Sequence, residues 1–328
     1  AALASRDFLP NSPTLMNAGT DRQQLAACFV LPVEDSIDSI FEALRETALI
    51  HQSGGGTGFS FSNLRPAGDV VQSTGGVASG PVSFMRIFDA ATEEIKQGGR
   101  RRGANMGVLA ASHPDVGTFV GAKADPDALR NFNLSVATDA DFWDALDSGT
   151  DYDLVNPRTG EVVDRIDPDA LLDNIAATAW ETGDPGLLFL DRIAADNPTP
   201  ALGKITATNP CGEVPLLPHE ACILGAINLA HVTTIDPDSG RTDGEVDWDH
   251  LADTVALGVR FLDDAITKSE FPVPEIDRRM AGNRKVGLGV MGFQDMLVDL
   301  GVPYDSDRAL DVADEVMGFV ADRAHEAS

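Results

Sequence analysis

Apolar positions along the chain follow two different periods, and each period predicts a different kind of element. Six short runs are continuously apolar or alternate apolar with polar residues, a pattern typical of strands. They are Cys28–Leu31, Gly58–Ser62, Asn105–Leu109, Asn133–Thr138, Leu187–Leu190 and Val286–Val290. Because helical patterns separate most of these runs, their order favours an α/β protein with a largely parallel sheet.

Four longer stretches place their apolar residues on one helical face. Asp35 or Ser36 can cap the first, which ends at the glycines 54–56. The second begins at Pro81, where the first turn of a helix accepts proline, and ends at glycines 98–99. The third and fourth cover 168–182 and the apolar positions of 248–266.

The segments between these elements are polar and rich in turn residues. Residues 151–167 and 197–208 are predicted to be surface connections, and 235–247 an acidic insert or hairpin. No linker rich in proline, glycine or serine divides the chain, so we expect one domain over residues 1–328.

Charge excludes several classes of partner. The chain has 52 acidic and 24 basic residues and a net charge of -28. Such a charge argues against docking on nucleic acid or an anionic membrane through general positive charge. The composition of 38 Asp against 5 Lys favours the surface of a halophile, with an acidic mesophilic protein as the alternative. No apolar run approaches the ~20 residues that span a bilayer, so we expect a cytoplasmic protein without a membrane partner.

The cysteine count and the two ends of the chain give further expectations. Three cysteines, an odd number, without a secretory signal argue against a secreted disulfide framework. The first residues resemble the tail of a helix, and the last ten stop inside an amphipathic pattern. We therefore expect this chain to be a piece of something longer.

Asn209-Pro210-Cys211-Gly212-Glu213 is the most informative short stretch. In an extended segment Asn209, Cys211 and Glu213 would share one face and combine an amide, a thiol and a carboxylate. A buried cysteine in a turn explains the same five residues equally well. A zinc set of Cys211, His219, Cys222 and His231 is a third interpretation, although its spacings do not match the common paired ligands.

Four motifs taken together resemble the large catalytic subunit of ribonucleotide reductases. They occur in that family's order over nearly the whole chain: 11–19 followed by Ala27-Cys28, 97–105, 209–213 and 221–229. The amino-acid sequences of 209–213 and of the glycine run 54–58 are most similar to those of class II, the branch that depends on adenosylcobalamin. The resemblance implies part of a ten-stranded α/β barrel in which a central loop carries Cys211.

The resemblance also implies a role for each cysteine. Cys211 would be the thiyl radical that takes the 3′-hydrogen of the substrate. Glu213 would accept the proton of the 3′-hydroxyl as the 2′-hydroxyl leaves as water, and Asn209 would hold the ribose. Cys28 and Cys222 would form the dithiol that supplies two electrons and becomes a disulfide.

Further residues follow from the same resemblance. Ser12 and Ala27 would bind substrate, although a serine before a proline is also a common turn residue. An effector-binding region would cover about residues 35–107, with Asp35 holding the ribose of a nucleoside triphosphate effector. Its specificity loop would include Lys96, Gln97 and Arg101; cations that follow a helix C-terminus are the alternative reading of this cluster.

The implied activity is the reduction of ribonucleoside di- or triphosphates to their 2′-deoxy forms. Its partners would be the ribonucleotide substrate, the nucleotide effector and a thioredoxin- or glutaredoxin-type reductant, and a homodimer stays open. Two alternatives remain at this point. One is a class I large subunit with a separate radical-generating subunit, and the other is a nucleotide-binding fragment without activity of its own.

Overall fold

A computed structural model describes residues 2–71, 76–95, 102–235 and 242–328 of the chain. These residues form two compact units. The smaller unit combines residues 1–27, 222–271 and 280–328, and the larger unit combines 28–221 and 272–279.

The strands, in chain order, are β1 Phe8–Pro10, β2 Cys28–Leu31, β3 Gly56–Ser60, β4 Val70–Val71, β5 Gly76–Val77, β6 Asn105–Ala110, β7 Phe132–Thr138, β8 Tyr152–Val155, β9 Val162–Ile166, β10 Gly186–Phe189, β11 Ala207–Thr208, β12 Pro215–Leu216, β13 Glu220–Asn228, β14 Thr233–Ile235, β15 Thr242–Val246 and β16 Val286–Met291. The helices are α1 Ala2–Ser5, α2 Ser12–Asn17, α3 Ile37–Gln52, α4 Pro81–Glu94, α5 Val116–Val120, α6 Ala140–Ser148, α7 Pro168–Thr182, α8 Leu190–Ala195, α9 Trp248–Lys268, α10 Pro274–Asn283, α11 Phe293–Asp299 and α12 Asp307–Ala327. Short 3₁₀ turns cover Gly121–Lys123, Pro200–Leu202 and Leu229–His231.

The larger unit is built on a parallel sheet in the order β2-β3-β6-β7-β10. Consecutive strands of this sheet are joined by helical crossovers, as parallel pairing requires. Because side chains of a strand alternate between the two faces, every strand here presents one set of residues to the helices and another to the opposite side.

An aromatic cluster fills the helix-facing side of this sheet. Phe59 of β3 packs edge to face on Phe88 of α4, with ring centroids 4.9 Å apart. Phe61 and Phe132 complete the cluster, and all four rings are buried. Burial of such rings is a large source of stability, so this face anchors α4 to the sheet.

A small antiparallel hairpin, β11–β12, packs against the other face. Its register pairs Ala207 with Leu216 and Thr208 with Pro215. Ala207 and Leu216 belong to one buried cluster with sheet residues, which are Val30, Met106, Val108 and Ala137. The hairpin is therefore held by the same hydrophobic core as the strands below it.

The smaller unit is built around β13. β1 pairs with it antiparallel and β16 pairs with it parallel. Two 21-residue helices, α9 and α12, lie together in this unit, and Trp248 packs on Phe319 with centroids 4.8 Å apart.

Most predicted elements lie within two residues of the observed ones. Cys28–Leu31 and 168–182 agree at both ends, and Ser36 is the residue whose side chain caps α3. The prediction for 151–167 as a plain connection is wrong, because this segment forms the β8–β9 hairpin. The predicted hairpin at 235–247 agrees with β14–β15, although residues 236–241 and glycines 98–99 lie outside the described residues. No helix within the described ranges is both long and apolar enough to cross a membrane.

Candidate active site

The loop that joins β11 to β12 carries Cys211 at its tip. The Gly212 amide donates a hydrogen bond to the Asn209 carbonyl at 3.1 Å, and Asn209 N–H donates to the Val214 carbonyl at 3.3 Å. The Asn209 side-chain oxygen accepts a third bond from Val214 N–H at 3.0 Å. Three bonds within six residues make this a tight, internally closed loop.

The expected extended geometry of Asn209–Glu213 is wrong. Gly212 has a φ of +86°, a backbone conformation that residues with a Cβ rarely adopt, and the chain turns there. Residues two apart therefore do not share one face. Cys211 is exposed, whereas Asn209 is buried with 1% of its surface accessible.

The structure nevertheless brings three of the predicted site residues together. Asn209 Nδ2 donates to the sulfur of Cys28 at 3.0 Å. The Cys28 thiol in turn lies 3.7 Å from Glu213 Oε1, within reach of a hydrogen bond to sulfur. Cys28 is the first residue of β2 and is buried, while Glu213 is exposed. An amide donor and a carboxylate acceptor thus bracket one buried thiol, an arrangement that can hold or move a proton at that sulfur.

Two glycines of β3 allow the loop to lie directly on the sheet. A Cβ on Gly58 would come within 1.7 Å of the Thr208 carbonyl oxygen, and one on Gly56 within 2.8 Å of Pro210 Cγ. The sequence pattern alone indicates only that a helix ends at these glycines. Their observed use is close approach by another backbone segment, the one that carries Cys211.

A buried polar chain lies on the opposite side of β3. Thr57 Oγ1 donates to Asn105 Oδ1 at 2.7 Å and accepts from His51 Nε2 at 3.0 Å. Asn105 Nδ2 continues the chain to Thr92 Oγ1 at 2.9 Å. Because Thr57 has a single hydroxyl proton, Nε2 is the protonated nitrogen of the neutral His51 ring. Burial lowers the pKa of His51 to about 4, so the ring stays neutral at physiological pH.

The predicted residues of the smaller unit are placed separately. Cys222 is buried on β13, and its thiol lies 3.6 Å from the Ile223 carbonyl. Ser12 is exposed in the first turn of α2, and Ala27 is buried. Cys28 belongs to the larger unit and Cys222 to the smaller one, so the redox pairing of these thiols stays a prediction.

Asp35, the predicted effector ligand, is engaged by an arginine that the sequence did not single out. Arg65 Nε donates to both carboxylate oxygens of Asp35, at 3.0 and 2.8 Å. Lys96, Gln97 and Arg101 lie outside the described residues. Arg102, which follows them, donates to Asn131 Oδ1 at 2.8 Å and pairs with Glu93 at 3.0 Å.

The histidines of the zinc interpretation have carboxylate partners instead. His219 Nε2 lies 3.2 Å from Glu46 Oε2, and His231 Nδ1 lies 3.0 Å from Asp7 Oδ1. Within the part of the chain that the structure describes, no group of three or more His, Cys, Asp or Glu side chains has the geometry of a metal site.

Comparison with known proteins finds one family. Residues 26–328 match the family described as "Ribonucleotide reductase, barrel domain". The chain is 55% identical over 328 residues to the vitamin B12-dependent ribonucleoside-diphosphate reductase of Thermoplasma acidophilum, covering 99% of this chain and 42% of that protein.

Two further relatives bear similar names. The vitamin B12-dependent ribonucleoside-diphosphate reductase of Mycobacterium tuberculosis strain H37Rv is 53% identical over 99% of this chain and 45% of its own length. The vitamin B12-dependent ribonucleotide reductase of Streptomyces coelicolor is 33% identical over 100% of this chain and 36% of its own length. The chain thus spans less than half the length of these curated relatives.

Proposed function

Since the chain belongs to the ribonucleotide reductase barrel-domain family, we propose that the protein containing it reduces ribonucleotides to 2′-deoxyribonucleotides. The observation that carries this proposal is the convergence of Asn209, Cys28 and Glu213 beneath a loop that exposes Cys211. The substrate class we favour is a ribonucleoside diphosphate, because two relatives more than 50% identical to the chain carry that substrate in their names.

In the proposed reaction Cys211, as a thiyl radical, removes the 3′-hydrogen of the ribose. Glu213 accepts the proton of the 3′-hydroxyl, and the 2′-hydroxyl leaves as water after it is protonated. Cys28 and Cys222 give up two electrons and two protons and form one S–S bond. The carbon–oxygen bond is reduced by the same two electrons, and Cys211 recovers its radical when it returns the 3′-hydrogen.

The contacts of Cys28 support its place in this sequence. Its thiol can pass a proton toward the ribose while Glu213, 3.7 Å away, can receive or return one. The Asn209 amide, as a donor to sulfur, favours the thiolate that disulfide formation requires. We extend the substrate role to Ser12 and Ala27 and the effector role to Asp35, Lys96, Gln97 and Arg101 as parts of the same proposal.

The cofactor in this proposal is adenosylcobalamin, because the relatives are named as vitamin B12-dependent. When bound, it would supply the organic radical that starts the reaction. The described residues fit such a group at the loop tip. Cys211 is exposed, and apart from the two adjoining residues no described atom lies within 4 Å of the position that a Cβ on Gly212 would occupy. Cys211 is the residue that would face it.

The remaining partners belong to the same proposal. A dithiol protein of the thioredoxin or glutaredoxin type would reduce the disulfide, and a nucleoside triphosphate would act as effector at 35–107, in a single catalytic domain over 1–328. The 38 Asp residues favour a halophilic source for this protein.

The decisive experiment uses the full-length protein with adenosylcobalamin, a ribonucleoside diphosphate and a small dithiol. Cys211→Ser should abolish product, because an alkoxyl radical cannot replace the sulfur. Cys28→Ser should stop multiple turnover, since the variant cannot form the disulfide that is reduced again after each turnover. Retained turnover in Cys211→Ser contradicts the mechanism.

The same assay separates the two alternatives. Product formation without added adenosylcobalamin, but with a second protein subunit, would indicate class I chemistry. Equilibrium binding of nucleotides without product from the full-length protein would indicate a binding protein.

A further inference from the structure

The peptide group immediately before Cys211 is held by a side chain from outside the loop. Asn133 Nδ2 donates a hydrogen bond to the Pro210 carbonyl at 2.7 Å. Proline has no backbone N–H, so this carbonyl is the one polar backbone group that Pro210 offers. The bond therefore constrains the plane of the peptide that leads into Cys211.

The Asn133 backbone is fixed on both sides. Lys123 Nζ donates to the carbonyl of Phe132 at 2.6 Å, and the Leu134 amide donates to Asp184 Oδ1 at 2.8 Å. Lys123 and Asp184 also form an ion pair at 2.7 Å, with side chains 18% and 14% exposed. The Lys123–Asp184 ion pair thus holds both residues that flank Asn133. The strand that these residues occupy, β7, is also paired on both edges.

The position of Asn133 on its strand explains why its side chain reaches the loop. Phe132 and Leu134 are buried, and Phe132 joins the aromatic cluster on the helix side. Because the side chains of β7 alternate between the two faces of the sheet, Asn133 points to the face that carries the β11–β12 hairpin. Gly56 of β3 leaves the space that Pro210 occupies on the sheet, while Asn133 supplies the polar contact to the same residue.

We propose that Asn133 is a positioning residue for Cys211: through the Pro210 carbonyl it fixes the sulfur-bearing loop tip relative to the sheet. This inference rests on the proposed function, and it adds a residue that acts through Cys211 without touching the substrate. Asn133 is exposed, so its removal leaves the hydrophobic core intact.

The first test is hydrogen–deuterium exchange of the full-length protein, followed by mass spectrometry of the peptide that covers 209–214. Asn133→Asp keeps the shape of the side chain but cannot donate. We expect this segment to exchange about fivefold faster, the effect of losing one hydrogen bond. Asn133→Gln retains a donor and should recover part of the protection.

Asn197→Ala is the matched control. Its amide also donates to a backbone carbonyl, that of Gly203 at 3.3 Å, but in another loop of the same unit. Exchange of 209–214 should match the parent protein in this variant. Peptides from the β8–β9 hairpin should be unchanged in all variants, which separates a local effect from general destabilisation.

The second test measures turnover of the same variants. Asn133→Asp should lower kcat about fivefold and leave KM for the ribonucleotide unchanged, because the substrate does not contact Asn133. Parent-like exchange of 209–214 in folded Asn133→Asp overturns the inference, as does a parent-like kcat. If the parent itself makes no product, the proposed function fails, and the exchange measurement still decides the role of Asn133.

Discussion

Thr57 shows how much one side chain can determine within this fold. It lies between two glycines that face the Cys211 loop, and its own hydroxyl faces the other way into a buried chain of polar groups. Every hydroxyl and amide in that chain donates in one direction, from His51 through Thr57 and from Asn105 to Thr92. The His51 ring that begins this order is neutral, because the interior strongly disfavours an imidazolium ion.

His51 therefore makes stability depend on pH with a defined sign. Its folded pKa of about 4 lies below the ordinary value of 6.5, so the unfolded chain binds a proton first as pH falls. The contribution of neutral His51 to the free energy of unfolding is fully present above pH 6.5, and it is lost as the pH falls from 6.5 to 4. Between pH 7.5 and 5 the free energy of unfolding should fall by about 2 kcal/mol from this residue.

Urea unfolding of the parent and His51→Gln at both pH values checks this expectation. The variant should be less stable at pH 7.5 but should lose about 2 kcal/mol less on acidification. His325→Gln, at an exposed position on α12, serves as the control and should follow the parent. Equal pH dependence in all three proteins would contradict the assignment.

At the scale of elements, the main contact is the crossing of the β11–β12 hairpin over β3. The Thr208 carbonyl occupies the space where a side chain at position 58 would stand. The hydrophobic cluster of Ala207 and Leu216 with the sheet holds the hairpin at this short distance. The loop that carries Cys211 therefore cannot retreat without breaking core contacts.

Gly58→Ala should be strongly destabilising. The added methyl group would overlap a carbonyl oxygen held by both hairpin and core, and we expect a loss of about 3 kcal/mol. Thermal and urea unfolding measure it directly. Gly117→Ala is the control. Gly117 lies in α5, and apart from its neighbours in the chain and the backbone of its own helix no described atom lies within 4 Å of its Cβ position. That change should be neutral or stabilising by about 0.5 to 1 kcal/mol, and similar losses in both variants would contradict the steric argument.

Periodicity predicted β16 and the five strands of the parallel sheet, but it missed the largely buried strand β13 and did not delimit the long helix α12. The family match confirms the fold class expected from the resemblance. Strand β2 and helix α7 agree at both ends because hydrophobic pattern, caps and turn residues coincide there. The β8–β9 hairpin escaped prediction, since an exposed strand with charged side chains, as in β9, resembles a loop in a sequence.

The candidate site was predictable in residue types but not in geometry. The positive φ of Gly212 converts an apparent extended stretch into a turn. Asn133 had a weak signal in the sequence, a polar residue at the start of a predicted buried strand. Its partner, the Pro210 carbonyl, is set by tertiary packing and leaves no trace in the sequence.

The whole molecule is dominated by its charge of -28. Many of its arginines are already paired with carboxylates, as in Arg65–Asp35, Arg158–Asp69 and Arg284–Asp263. The remaining acidic excess repels itself and destabilises the compact state at low ionic strength. Salt screens this repulsion, with a Debye length of about 10 Å at 0.1 M and about 3 Å at 1 M.

Melting temperature should accordingly rise with salt. Between 0.1 and 1 M NaCl we expect an increase of several degrees, measured by differential scanning calorimetry or fluorescence. Sucrose at matched osmolality is the control, because it stabilises without screening charge. A melting temperature that responds to sucrose and not to NaCl would argue against the halophilic proposal.

The two-sided use of β3 has a consequence for evolution. Gly56 and Gly58 must leave room for the hairpin segment that leads to Cys211. On the other face, Thr57 must form its buried hydrogen bonds and Phe59 must fill its place in the aromatic cluster. Few substitutions in β3 are therefore expected to be neutral, because almost any of them would disturb the packing on one of the two faces of the strand. We expect Gly-Thr-Gly-Phe to persist in lineages whose surface residues have been replaced many times, which would make it a marker for tracing this domain through distant genomes.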